Sequence, residues 1–188
     1  MKKSIEELVT ESKESSFNMH SYDVSIRFEN FISNMMLYTN YDKFENNEIL
    51  TPSEWLNGAT PGFQRDNDKW DEDMQIRFIE NILNGCDTQI KLFRFDEYDD
   101  AMIIDGLQRS TAICEFFNGN IKPFRYSYSE LKDKLHNFGA KIQIKIYNFS
   151  SWEKVGKFYI DMNDRITHSQ KDIDKAKKWF LEEKNIKL

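Results

Sequence analysis

The sequence predicts an α+β fold, a small mixed sheet with surrounding helices and an N-terminal helical annex. Three observations carry this. Apolar residues recur at three- and four-residue spacing in several segments, the period of an amphipathic helix. The stretch "KIQIKIYNF" (141–149) alternates instead, with Ile142, Ile144 and Ile146 on one face, the period of a strand. With 39% hydrophobic residues, including 15 Phe, 8 Tyr and 4 Trp in 188 residues, the chain can bury a sizeable core.

In chain order, residues 4–14 predict a helix opened by a Ser4-x-x-Glu7 capping box. Positions 24, 28, 31, 35 and 38 follow a +4, +3, +4, +3 spacing and predict one single-faced helix. These two make residues 1–50 an N-terminal helical segment, with a main domain over 51–188. "TPSEW" then opens a helix, with Thr51 as N-cap, Pro52 at the first helical position and Glu54 completing the box. "ATPGFQRD" is a Pro-Gly turn ahead of Gln64 and Arg65. Asp68 is the expected cap of the next helix, whose Trp70, Met74, Phe78 and Ile82 recur every four residues up to Asn84-Gly85.

"QIKLFRF" (89–95) and "AMII" (101–104) read as two strands around an acidic turn. A helix over 108–118 turns Ala112, Ile113, Phe116 and Phe117 inward and stops at Asn118-Gly119. After the alternating strand, a Ser150-x-x-Glu153 box starts a helix carrying Trp152, Val155, Tyr159 and Met162 on one side. The last helix begins near Thr167 or Ser169 and presents Ile173, Ala176 and Phe180.

Composition narrows the function. A charged fraction of 31%, a net charge of −6, seven Gly and three Pro fit a globular chain better than a disordered one. No apolar run approaches the ~20 residues of a membrane span, and the N-terminus has no apolar centre of a secretory signal. Two cysteines, Cys86 and Cys114, make no disulfide framework, so a cytoplasmic setting is expected. The acidic balance disfavours broad nonspecific DNA coating, though not a local basic patch.

The chemistry concentrates in "IIDGLQRSTAI" (103–113). A strand that feeds a helix through glycine leaves the first N–H groups of that helix aimed into the loop, a ready anion site. Gly106 makes the turn, and Arg109, Ser110 and Thr111 stand in the first helical turn, where a guanidinium fork and hydroxyls suit phosphate oxygens. Asp105, at the strand's carboxyl end, stands where a Mg²⁺ ligand or general base belongs, and Gln108 where an amide would orient water or a base edge. The alternative is structural: Asp105 caps the helix and Arg109 pairs with a nearby carboxylate.

"PGFQR" (61–65) repeats a Gln-Arg turn ahead of an amphipathic helix, and "FYIDMNDRI" (158–166) ends an apolar helix in Asn163 with Arg165 beyond. Together the three segments resemble the N-terminal domain family of GmrSD-type restriction systems, a branch of the ParB/sulfiredoxin-like superfamily. The matching residues are Pro61, Gln64 and Arg65; Trp70 and Gly85; Asp105, Gly106, Gln108 and Arg109; and Asn163, in order across residues 61–180. The Asp-Gly-x-Gln-Arg loop is the specific part. The resemblance implies a compact α+β fold with both Gln-Arg turns on one cleft. It further implies that Arg65 and Arg109 hold phosphates, Gln64 and Gln108 position base or water, and Asp105 serves a metal or base role.

The leading expectation is therefore a nucleoside-triphosphate-binding domain with Mg²⁺, hydrolysing the nucleotide or transferring its phosphate in DNA modification, restriction or phage–host conflict. DNA is a further expected partner, and the N-terminal helices offer a homodimer contact. The family frequently has a second Gln where this chain has Leu107, which favours the alternative of a non-catalytic DNA- or protein-binding module. A kinase acting on a small molecule or modified base is the third reading. The three histidines, His20, His136 and His168, lack the clustered spacing of a metal nuclease. The acidic runs "DNDKWDED" and "DEYDD" lack an EF-hand's spacing. Tyr126 and Tyr128 with Lys122 and Arg125 read either as a stacking platform for a single strand or as an edge strand. Lysines 171, 175 and 178 line one face of the last helix, as phosphate contacts or as an ordinary solvated face.

Overall fold

A computed structural model describes residues 4, 5, 7, 20–64, 69–96, 99–163 and 169–188. Its centre is a four-stranded mixed sheet, made of β1 (Ser21–Arg27), β2 (Gln89–Arg94), β3 (Met102–Asp105) and β4 (Lys141–Asn148) in the order β1-β4-β2-β3. β4 runs antiparallel to β1 and parallel to β2, and β2 runs antiparallel to β3. Around it stand α1 (Phe31–Thr39), α2 (Tyr41–Glu45), α3 (Pro52–Ala59), α4 (Glu72–Leu83), α5 (Leu107–Phe117), α6 (Tyr128–Leu131), α7 (Trp152–Asn163) and α8 (Gln170–Lys184). The α+β class expected from the sequence is the one found.

Alternation puts successive strand residues on opposite faces, and the core divides accordingly. Ile142, Ile144 and Ile146 of β4 face one apolar cluster with Ile90, Leu92, Ile103, Trp55, Ile79 and Ile113. The other face carries Phe93 and Ile104 into a second, aromatic cluster with Phe63, Phe149, Phe158, Tyr159 and Phe180. The first cluster is covered by α1, α3, α4 and α5, and the second by α7 and α8.

Several helix ends follow the local sequence. Thr51 caps α3 in a complete capping box with Glu54, with Pro52 in the first turn. Ser169 caps α8 with a box closed by Asp172. Ser4 and Glu7 exchange the bonds of the expected box, at 2.8 and 3.1 Å, while the rest of the helix expected over 4–14 lies mostly outside the described residues. Other ends differ. α4 is capped by Asp71, which accepts from the Met74 N–H at 2.8 Å, rather than by Asp68, which lies outside the described residues. Ser151, not Ser150, accepts from the Lys154 N–H at the start of α7.

The larger correction concerns the expected helix over 24–38. Residues 21–27 form β1, paired with β4 from Ser21↔Tyr147 to Arg27↔Lys141, and α1 starts only at Phe31. Tyr22, Val24 and Ile26 alternate with Asp23, Ser25 and Arg27, and this period of two wins because the edge of β4 is there to satisfy its backbone. Ile26, Phe28, Phe31 and Met35 are buried in the first cluster, so the segment read as a helical annex supplies strand and core. The edge-strand reading of Tyr126 and Tyr128 also fails. Pro123–Arg125 is a 3-10 turn and Tyr128 opens α6, packing on Phe116 and Phe117. Among the described residues, no helix is long and apolar enough to cross a membrane.

Candidate functional site

The site begins where β3 ends. Gly106 takes φ 103°, a left-handed conformation that glycine adopts without strain, and turns the chain from Asp105 into α5. A Cβ at this position would stand 3.2 to 3.4 Å from atoms of Ile90, so the turn also packs tightly on β2. Gly106 is the N-cap and supplies no side chain to the first turn.

Asp105 does not cap the helix. Its Oδ1 lies 2.9 Å from the Arg109 guanidinium one turn on, and its Oδ2 lies 3.3 Å from Lys91 Nζ on the neighbouring strand. Arg109 also donates to the Gln89 carbonyl, so its fork is braced by β2 as well as by the carboxylate. The pairing of Arg109 with a carboxylate, open in the sequence, is thus present. These charges are partly exposed: the side chains of Lys91, Arg109 and Asp105 are 17%, 28% and 34% accessible. The field of Asp105 reaches Tyr147, whose phenol is raised above its ordinary pKa, first by burial, then by Asp23 and by Asp105.

The second Gln-Arg turn reaches the same place. Its backbone closes through the Gln64 N–H onto the Pro61 carbonyl at 3.0 Å. Phe63 anchors it in the aromatic cluster, with ring centroids 4.9 Å from Tyr159 and 5.0 Å from Phe180. Gln64, buried, donates its amide to the Ile103 carbonyl of β3 at 2.9 Å. Gln108, also buried, accepts from the Trp70 N–H at 3.2 Å, which ties α5 to the start of α4. Asn163, at the end of α7, donates to the Tyr159 carbonyl at 2.7 Å.

These residues line one cavity of about 460 Å³, within the ~300–1,000 Å³ of small-molecule sites: Gln64, Lys69, Trp70, Met74, Ile104, Asp105, Gly106, Leu107, Gln108, Arg109 and Asn163. Ser110 and Thr111 are not among the lining. Ser110 is fully buried and the Thr111 hydroxyl donates to the Leu107 carbonyl at 2.9 Å. Arg65 and Arg165 lie outside the described residues. No site role is expected from sequence for Lys69 or for Met74, which counts there only as part of a helix's apolar stripe, nor for Lys91, which pairs with Asp105 without lining the cavity. For Lys91 a signal existed, a lone charge between the buried Ile90 and Leu92, which turns it to the opposite sheet face.

A larger cavity, about 590 Å³, opens between Ile32, Met36, Phe44, Ile49, Phe117 and Tyr128. Its wall is mostly apolar and includes none of the Gln, Arg or Asp residues discussed above, which converge on the smaller one. Among the described residues no three His, Cys, Asp or Glu side chains converge on a metal position.

Against known families, residues 44–188 match the model described as GmrSD restriction endonuclease, N-terminal domain. No curated protein and no solved structure matches the chain.

Proposed function

The chain belongs to the family of GmrSD restriction endonuclease N-terminal domains, and on that premise we propose that its cavity binds a nucleoside triphosphate for phosphoryl chemistry within a restriction system. The observation that carries this reading is the convergence of three distant stretches. Gln64, Asp105 to Arg109, and Asn163 line one cavity at the start of a helix. An arginine fork, a helix start without a side-chain cap and buried amides suit an anionic ligand with a hydrogen-bonding base.

In this reading Arg109 holds phosphate, with Arg65, next in sequence to Gln64, as its second guanidinium. Gln64 and Gln108 fix a base edge or a water, and Asn163 closes the wall. Asp105 is the general base or the metal ligand. Magnesium is the ion this chemistry implies, and the residues fit the mode in which one carboxylate and the ligand's phosphates share it. Asp105 would be its protein oxygen, and the ion would neutralise charge on the phosphates.

Calorimetric titration of the protein with each triphosphate and Mg²⁺, repeated on Arg109→Ala and Arg65→Ala, tests it. Saturable binding by wild type that both variants lose is the expected result. Binding unchanged in Arg109→Ala would remove the assignment. A second reading, a binding module without turnover, is favoured by Leu107, an apolar side chain packed into the core inside the Asp-Gly-x-Gln-Arg loop. The two separate at Asp105→Asn, which stops hydrolysis or transfer but leaves a pure binder working.

A further inference from the structure

The two cations beside Asp105 come from different elements. Lys91 stands opposite Asp105 in the β2–β3 register, and Arg109 follows it by one turn of α5. Each takes a different oxygen of the same carboxylate, at 3.3 and 2.9 Å. Among the described residues, Lys91 has no equally close acid across its other side. Its neighbour in the parallel β2–β4 register is Lys145, which pairs with Asp23 at 3.5 Å. Along this row across the sheet, Asp105 is the anion that separates Lys91 and Arg109 from mutual repulsion.

Both cations are braced from below. Lys91 rises from the middle of a strand, and Arg109 is pinned to the Gln89 carbonyl. The anion between them is at the cavity wall and partly exposed. A carboxylate held by two fixed cations is arranged like two oxygens of a phosphate in the same fork. The arrangement thus supplies both a phosphate site and an internal competitor for it.

We propose that Asp105 is the resident counter-anion of this site and that Lys91 is its second phosphate-binding cation. This rests on the nucleotide reading above. An incoming phosphate takes the place of the carboxylate at Lys91 and Arg109. The displaced Asp105 is then available to a divalent ion that travels with the phosphate. Free Mg²⁺ has no such invitation, because both oxygens of Asp105 are engaged by cations until the phosphate arrives. The device makes occupancy depend on metal and phosphate arriving together.

The consequence runs against the usual effect of deleting a site carboxylate. Without metal, Asp105 only competes, so Asp105→Asn should bind inorganic tripolyphosphate more tightly than wild type. The gain should be roughly tenfold, the low end of what a charge-assisted contact is worth. With Mg²⁺ the order should reverse, because the asparagine variant loses the increment that the metal adds. Lys91→Met should weaken tripolyphosphate binding in both the wild-type and the Asp105→Asn background.

The experiment is calorimetric titration of the full chain with tripolyphosphate, first in EDTA and then in Mg²⁺, on wild type, Asp105→Asn, Lys91→Met and the double variant. Tighter binding by Asp105→Asn in EDTA, with loss at Lys91→Met, supports the proposal. Equal or weaker binding by Asp105→Asn in EDTA, or an unaffected Lys91→Met, overturns it and leaves the nucleotide reading standing. If wild type binds neither tripolyphosphate nor any triphosphate with Mg²⁺, the nucleotide reading falls and this inference with it. Should Asp105→Asn fold poorly with its cations unpaired, Lys91→Met decides alone.

Discussion

The hydroxyl of Ser110 shows at residue scale how a sequence position misleads. It stands in the first turn of α5, where a phosphate would be met, yet its Oγ is buried with no hydrogen-bond partner among the described residues. A helix has two sides, and Ser110 is turned to the core while Gln108 and Arg109 reach the cavity. A buried donor without a partner costs about 1–3 kcal/mol. Ser110→Ala should therefore leave stability unchanged or raise it by up to about 1 kcal/mol, without changing triphosphate affinity. Urea unfolding and calorimetry check both parts, and a loss of affinity would return the hydroxyl to the ligand. Gln64 is the opposite case. Its amide satisfies the Ile103 carbonyl on β3, an edge strand, inside the core. Gln64→Leu should cost about 1–3 kcal/mol by orphaning that carbonyl, and an unchanged urea midpoint would show that the bond is not holding the turn.

At the scale of elements, the site depends on two turns whose glycines act for different reasons. Gly106 needs its left-handed φ and its closeness to Ile90, so Gly106→Ala should cost about 1–2 kcal/mol from the backbone alone. That is a fall in Tm of roughly 2–8 °C for a chain of this size, with weaker ligand binding because Asp105 and Arg109 flank the turn. Gly62 has no such φ. A Cβ there would lie 2.5 Å from Trp179 Nε1, and this indole is wedged against Phe63, Trp152 and Phe180. Gly62→Ala should therefore shift the near-ultraviolet circular dichroism of the aromatic cluster as well as Tm. An unchanged spectrum would mean that the turn is not packed on α8. Caps and stops of this kind were legible where one residue alone could serve, as at Thr51. They were not where several compete, because in "DNDKWD" and "SS" the choice falls to packing beyond the local sequence.

At the scale of the molecule, the cavity was legible because its residues are polar groups placed at breaks between apolar elements, and such breaks show in one dimension. Which side of α5 meets the cavity, and that Lys91 on the neighbouring strand reaches Asp105 at its wall, depend on sheet register, which one-dimensional spacing does not carry. The same limit explains the misread N-terminus. Apolar residues at 24, 28, 31, 35 and 38 satisfy a helix period, but the strand period over 21–27 prevails once β4 offers its edge. This has a consequence for the family match, which begins at residue 44. Ahead of it lie β1, α1 and the buried Ile26, Phe28, Phe31, Met35 and Met36, in the same cluster as Trp55 and Ile144. Trp55 is held there by an indole bond to Thr39 at 2.9 Å and by an edge contact with Phe31. Each such side chain contributes about 1.5–3 kcal/mol on burial, so five of them rival the ~5–15 kcal/mol of a whole domain. A fragment of residues 44–188 should therefore lack a cooperative unfolding transition and aggregate along the uncovered edge of β4. A fragment of residues 20–188 should keep the transition and the ligand site. Thermal melts of the two fragments beside the full chain decide this, and a cooperative 44–188 would show that the matched span folds without the strand that completes its sheet.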